Sequence, residues 1–129
     1  MSRRPYKAEP SKSGWWLEQP RYIRYMMREM SAAFIGVYAL VLIAGLFRLS
    51  EGEAAYTEFL DAAKGPAGLI FAVIAMLFAL YHTYTWFEVT PKAMPLVFAG
   101  KRLPGAIIVA AHWAGFVVVS AALWLLAGG

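Results

Sequence analysis

Three long stretches without a single charged residue dominate this chain: Met30–Phe47, Ala67–Tyr81 and Gly105–Ala127. Roughly 20 consecutive apolar residues in a helix cross the ~30 Å hydrocarbon core of a bilayer. Lipid offers no water to peptide N–H and C=O groups, so a run that spans it has to fold as a helix. The first and third runs have spanning length as they stand, whereas the middle run reaches it only if the helix continues through His82–Phe87. The pattern predicts an all-α membrane protein with three transmembrane helices, spanning about 22–49, 66–88 and 104–127. These lie in a single membrane domain over 1–129 that opens with a polar segment at 1–21. Composition agrees: with 60% hydrophobic and 16% charged residues, too few charges are present to cover a soluble surface. Cysteine is absent, which excludes disulfides, thiolate-ligated iron–sulfur clusters and thiol catalysis within the chain.

The net charge of +4 would suggest nucleic acid only if its distribution were ignored. Arg3, Arg4, Lys7, Lys12, Arg21, Arg24 and Arg28 precede the first apolar run. Arg48 and Lys64 flank the first connection, Lys92, Lys101 and Arg102 lie in the second, and none follows the third run. Cytoplasmic segments carry the excess of Lys and Arg. The N-terminus and second connection are therefore expected in the cytoplasm, and the acidic first connection and the C-terminus in the periplasm. No cleavable signal peptide is expected, since the first apolar run starts too late and is too long for one.

Smaller features refine this outline. Pro5, Pro10, Ser11, Ser13 and Gly14 argue against helix at the start of the chain. Trp15-Trp16 suits an anchor at the headgroup level or a contact with a partner subunit. Pro20 fits the first turn of a helix, and Gly36 and Gly45 are small positions where another helix can approach closely. Ala54–Ala63 reads as a short amphipathic surface helix closed by Gly65-Pro66. Pro91, Pro95 and Pro104 limit helix in the second connection.

The chemistry concentrates at two helix ends. The first span begins, and the second ends, on the cytoplasmic side. Arg28, Glu29, His82 and Trp86 are therefore expected at similar depth, about two turns or less from the interface. His82 and Trp86 are four apart and share a helix face; Ala32, four after Arg28, leaves a gap on that residue's face. A quinone head group needs an aromatic or apolar wall, a donor or positive charge at its carbonyls, and proton carriers open to water. Trp86, Arg28, and the pair Glu29 and His82 supply these in turn. Ionisable groups within a span are costly and mark function, although Arg28 and Glu29 also suit interfacial charges that snorkel to water. His112 sits about two turns inside the third span. A helix–helix hydrogen bond is expected of it, ahead of pairing with His82 as axial ligands of a haem. No metal ligand set is expected. With no redox centre of its own, the chain is expected to be non-catalytic alone and to serve as one subunit of a larger complex.

Trp15-Trp16, Tyr22, Tyr25, Met26, Arg28 and Glu29 in the stretch 20–32, then His82-Thr83-x-Thr85-Trp86-Phe87-Glu88 and Pro91-Lys92-Ala93, resemble the C subunit of quinol:fumarate reductase over nearly the full length. Tyr84 departs from the lysine of that family, and the third helix matches only in hydrophobicity and length. The resemblance implies a membrane anchor of the bacterial inner membrane whose partners are a flavoprotein subunit, an iron–sulfur subunit and a second anchor, the D subunit. It implies a menaquinone site at the subunit interface, formed with Arg28, Glu29, Ala32, His82 and Trp86, and no haem. FAD and iron–sulfur clusters reside in the partners, and the process served is anaerobic fumarate respiration.

Two rivals have distinguishing marks. An anchor of succinate dehydrogenase would run the reaction in the opposite direction, with or without haem. An assembly or transport subunit would carry intramembrane charges through the bilayer depth, and the middle of each span here has none. The orientation is directly testable. A reporter active only in the periplasm, fused after Gly129, is expected to be active, and activity only from fusions within 91–104 would reverse the assignment.

Overall fold

The computed structural model describes residues 11–128. The expectations for Pro5, Pro10, Arg3, Arg4 and Lys7 lie outside these residues. A 3₁₀ turn, Trp15–Leu17, precedes α1 (Pro20–Glu51), α2 (Glu53–Lys64) and α3 (Pro66–Ala93). Two short strands, β1 (Val97–Phe98) and β2 (Lys101–Arg102), then lead to α4 (Gly105–Leu126). α1, α3 and α4 are each long and apolar enough to cross a membrane, as expected. α1, with 32 residues, is about 48 Å long at 1.5 Å per residue. It exceeds the hydrocarbon thickness, so its charged ends reach the interfaces.

The burial pattern is that of a protein whose solvent is lipid. Only 11%, 6% and 6% of the most apolar windows of α1, α3 and α4 are buried within the chain. Leu46, Met76, Val118 and Leu125 are exposed. Contiguous apolar surface of this extent has to be covered by lipid or by partner helices.

Residues 11–78 belong to one compact unit. Pro20 occupies the first turn of α1 after an extended Gln19; its fixed φ and missing N–H suit that position. The edge of the Trp15 ring meets Tyr22 at 5.5 Å, and the Trp16 indole N–H donates to the Ser13 carbonyl at 2.9 Å. α1 ends where Gly52 takes φ 120°, a conformation that L side chains rarely adopt, and the chain turns directly into α2. That helix covers the expected 54–63, with Glu53 in its first turn and Lys64 in its last, both favourable to the helix dipole. Gly45 is buried against the Phe59 ring, and a Cβ there would come within 2.7 Å of it. The close approach expected at Gly45 is thus made, by α2. Gly36 has nothing within 4 Å of such a position. Arg48 joins the two helices by binding Glu51 and Glu58, each at 2.8 Å. Stacked rings of Phe34 and Phe78 at 4.4 Å, and Tyr38 beside Phe71 at 6.3 Å, set α1 antiparallel to the first part of α3.

The second unit runs from Ala79 onwards. Its core is aromatic: Phe87 on α3 meets His112, Trp113 and Phe116 on α4 at 5.1, 5.0 and 6.4 Å. Two details correct the sequence reading. Pro91 does not end α3, which continues to Ala93. It sits in the last turn, where the missing N–H forfeits a single bond near the helix end, and Met94 N–H still reaches the Thr90 carbonyl at 2.8 Å. The second connection is also not purely irregular. Val97 pairs with Arg102 and Phe98 with Lys101 around Ala99 and Gly100, at φ 50° and 77°. Positive φ at both central residues is the signature of a type I′ hairpin.

The α1–α2 contact gives a stability test. Gly45→Leu is expected to lower the thermal midpoint of the purified protein, at a cost of about 1–3 kcal/mol for overpacking. Adding Phe59→Ala is expected to restore part of the loss. A neutral Gly45→Leu would show that α2 does not rest on α1 there.

Candidate functional site

Arg28, Glu29 and Ala32 lie within about one turn of α1, in the first unit. Arg28 is half-buried and Glu29 and Ala32 are exposed. The Arg28 guanidinium lies over the Tyr25 ring, 5.6 Å from its centroid, within the range of a cation–π attraction. Tyr25 thereby restricts where the charge points. Arg28 and Ala32 are four apart and share a face, while Glu29 is rotated about 100° from Arg28. The two adjacent charges can therefore serve different sides of the helix.

Ser31 was not singled out by sequence, yet it is fully buried, and its hydroxyl donates to the Arg28 carbonyl. The signal was a hydroxyl three residues after Arg28 at the start of an apolar run. Such serines satisfy themselves on the preceding turn and bend a helix slightly.

His82 and Trp86 lie within the second unit, on the extension of α3 that the middle apolar run required. Their rings are 6.1 Å apart and inclined at 55°, so the shared face read from their spacing is a contact. His82 is half-buried and Trp86 is 44% exposed. Thr85 donates to the His82 carbonyl at 3.1 Å and Thr90 to the Trp86 carbonyl at 2.8 Å. These two hydroxyls are thus turned back onto the helix rather than presented outward. Tyr84 is 53% exposed.

The hydrogen bond expected of His112 is found, but within its own helix. The ring Nδ1 lies 2.7 Å from the Ile108 carbonyl. A carbonyl only accepts, so Nδ1 carries the proton in this bond, and that nitrogen is satisfied without a second helix. Packing against Phe87 holds it there.

Chemically, the second unit offers an exposed indole beside an imidazole, and the first a guanidinium next to an exposed carboxylate. An indole can stack on a planar ring, and an imidazole or a carboxylate can exchange protons.

The comparisons with known proteins agree with the family resemblance read from the sequence. The family profile for the C subunit of fumarate reductase matches residues 1–127. The fumarate reductase C subunit of Mycobacterium tuberculosis strain CDC 1551 / Oshkosh is 35% identical over 112 residues, covering 87% of this chain and 89% of the relative. The same protein of strains H37Ra and H37Rv matches with the same identity and coverage. The chain therefore belongs to the family of fumarate reductase C subunits, membrane subunits that act within a complex.

Proposed function

We propose that this chain is the hydrophobic anchor of a quinol:fumarate reductase in the bacterial inner membrane, with its N-terminus in the cytoplasm and its C-terminus in the periplasm. In this reading it holds the flavoprotein and iron–sulfur subunits at the membrane, pairs with a second anchor subunit, and contributes to menaquinol oxidation in anaerobic fumarate respiration. The observation that carries the reading is the family match across residues 1–127, which includes all three apolar helices. FAD and iron–sulfur clusters belong to the partner subunits, and no haem is needed here. No observation favours the succinate dehydrogenase reading.

The residues fit a quinone head group. Trp86 leaves its indole exposed beside His82, which supports its use as the wall of a planar ring. The Arg28 charge is steadied over Tyr25 and suits a carbonyl or phenolate oxygen. Ala32 has too short a side chain to fill the space on that face. When bound, menaquinol supplies two electrons to the partner's clusters and two protons. Glu29 accepts a proton on a carboxylate oxygen and passes it to water at the start of α1. His82 is the second proton carrier and hydrogen-bonds an oxygen of the ring. The excess of Lys and Arg before the first apolar run and in the second connection supports placing the start of α1 and the end of α3 on one side of the membrane.

Glu29→Leu in the assembled complex is expected to reduce quinol oxidation by about 100-fold or more, the contribution of a positioned general base. Fumarate reduction with an artificial donor is expected to persist. Glu29→Asp is expected to be milder, because it keeps the carboxylate and shortens its reach. Loss of both activities would assign Glu29 to assembly, and unchanged quinol turnover would leave His82 as the proton carrier.

A further inference from the structure

The second unit contains a groove that none of the five quinone candidates lines. It is an open cavity of about 800 Å³, formed by Glu88, Pro91 and Lys92 at the end of α3, by Arg102 at the end of the hairpin, and by the first turns of α4. Gly105 allows this approach, since its backbone lies so close to Pro91 that a Cβ would sit 3.2 Å from that ring.

The lining changes character with depth. Glu88, Lys92 and Arg102 are all exposed, and among the described residues none of the three makes an ion pair. From Gly105 the wall descends α4 through Val109 and Ala110 to Trp113, about 12 Å along the helix. Two cations and one carboxylate thus stand at the aqueous mouth, and aliphatic and indole surface lies below. A phospholipid has that gradient built in, with a charged headgroup above apolar chains. The two cations exceed the single carboxylate by one charge, which complements a lipid of charge −1. Basic pockets between transmembrane helices at the membrane surface suit anionic headgroups. The first turn of α4 also lacks a side-chain cap, which adds to the attraction for an anion.

We propose that this groove binds an anionic phospholipid of the phosphatidylglycerol type. Lys92 and Arg102 hold the phosphodiester, Glu88 accepts hydrogen bonds from the glycerol hydroxyls, and one acyl chain lies along Val109, Ala110 and Trp113. The proposal requires only that α3 and α4 cross a membrane and is independent of the quinone assignment.

The test uses the complex with its partner subunits, delipidated in detergent and titrated with dioleoyl phosphatidylglycerol, dioleoyl phosphatidylethanolamine or glycerol phosphate, with bound lipid counted by native mass spectrometry. Phosphatidylglycerol is expected to bind at least 10-fold more tightly than phosphatidylethanolamine. The double variant Lys92→Gln/Arg102→Gln is expected to lose on the order of 10-fold or more of that affinity, and Lys92→Arg/Arg102→Lys to keep it. Val109→Trp fills the groove without altering charge and is expected to block binding as well, which preserves the test if the charge variant fails to assemble. Equal binding of the two lipids, undiminished phosphatidylglycerol in the assembled double variant or in Val109→Trp, or cross-linking of Lys92 to a partner subunit in place of lipid would overturn the proposal. Glycerol phosphate binding as tightly as the lipid would overturn it too, by reducing the groove to an anion site.

Discussion

Every peptide group inside a bilayer must find its hydrogen-bond partner within the protein, and the rest of this structure follows from that requirement. It makes helices of the three apolar runs, and it carries α3 past Tyr81, through His82 and Trp86, to Ala93. A helix that stopped with the uncharged run would leave four carbonyls without partners near the interface. The candidate ring residues are thus placed by the need to complete a span. The same constraint explains why Ser31, Thr85 and Thr90 spend their hydroxyls on carbonyls of their own helices.

The charges obey a second rule, that ionisable groups gather where a helix meets the interface. On α1 they sit at both ends with different consequences. Arg48 is consumed in two salt bridges, one to Glu51 on its own helix and one to Glu58 that ties α2 to α1. Each such bridge at a partly exposed site contributes at most about 1 kcal/mol, so the Gly45–Phe59 contact has to share the work of fixing α2. At the other end Arg28 is held over Tyr25, while Glu29 remains exposed one residue on. A steadied cation beside an exposed carboxylate suits binding and proton exchange better than it suits a structural lock.

The helix pattern was legible because period and charge carry it. The surface helix read at 54–63 is Glu53–Lys64, and the expected spans at 22–49 and 66–88 fall inside Pro20–Glu51 and Pro66–Ala93. What sequence did not yield depends on three-dimensional detail. Pro91 was read as a helix breaker, but a proline in the last turn forfeits only one bond. The hairpin at Val97–Arg102 has strands too short for a periodic signal, and its Ala99 adopts a conformation normally left to Gly, Asn or Asp. His112 was expected to reach another helix, whereas the preceding turn offered a carbonyl. For the candidate site, the residue types and the His82–Trp86 spacing were readable. The Tyr25 support of Arg28 and the burial of Ser31 were not, because both depend on how side chains turn back along the helix.

The central claim is that the start of α1 and the end of α3 serve one quinone. Photolabelling the assembled complex with an azido-menaquinone analogue, followed by peptide mapping, tests it most directly. Labels are expected in both the 25–32 and 82–88 segments, and both are expected to be suppressed by excess menaquinol. Labelling confined to one segment, or directed to the periplasmic ends of α1 and α3, would contradict the account.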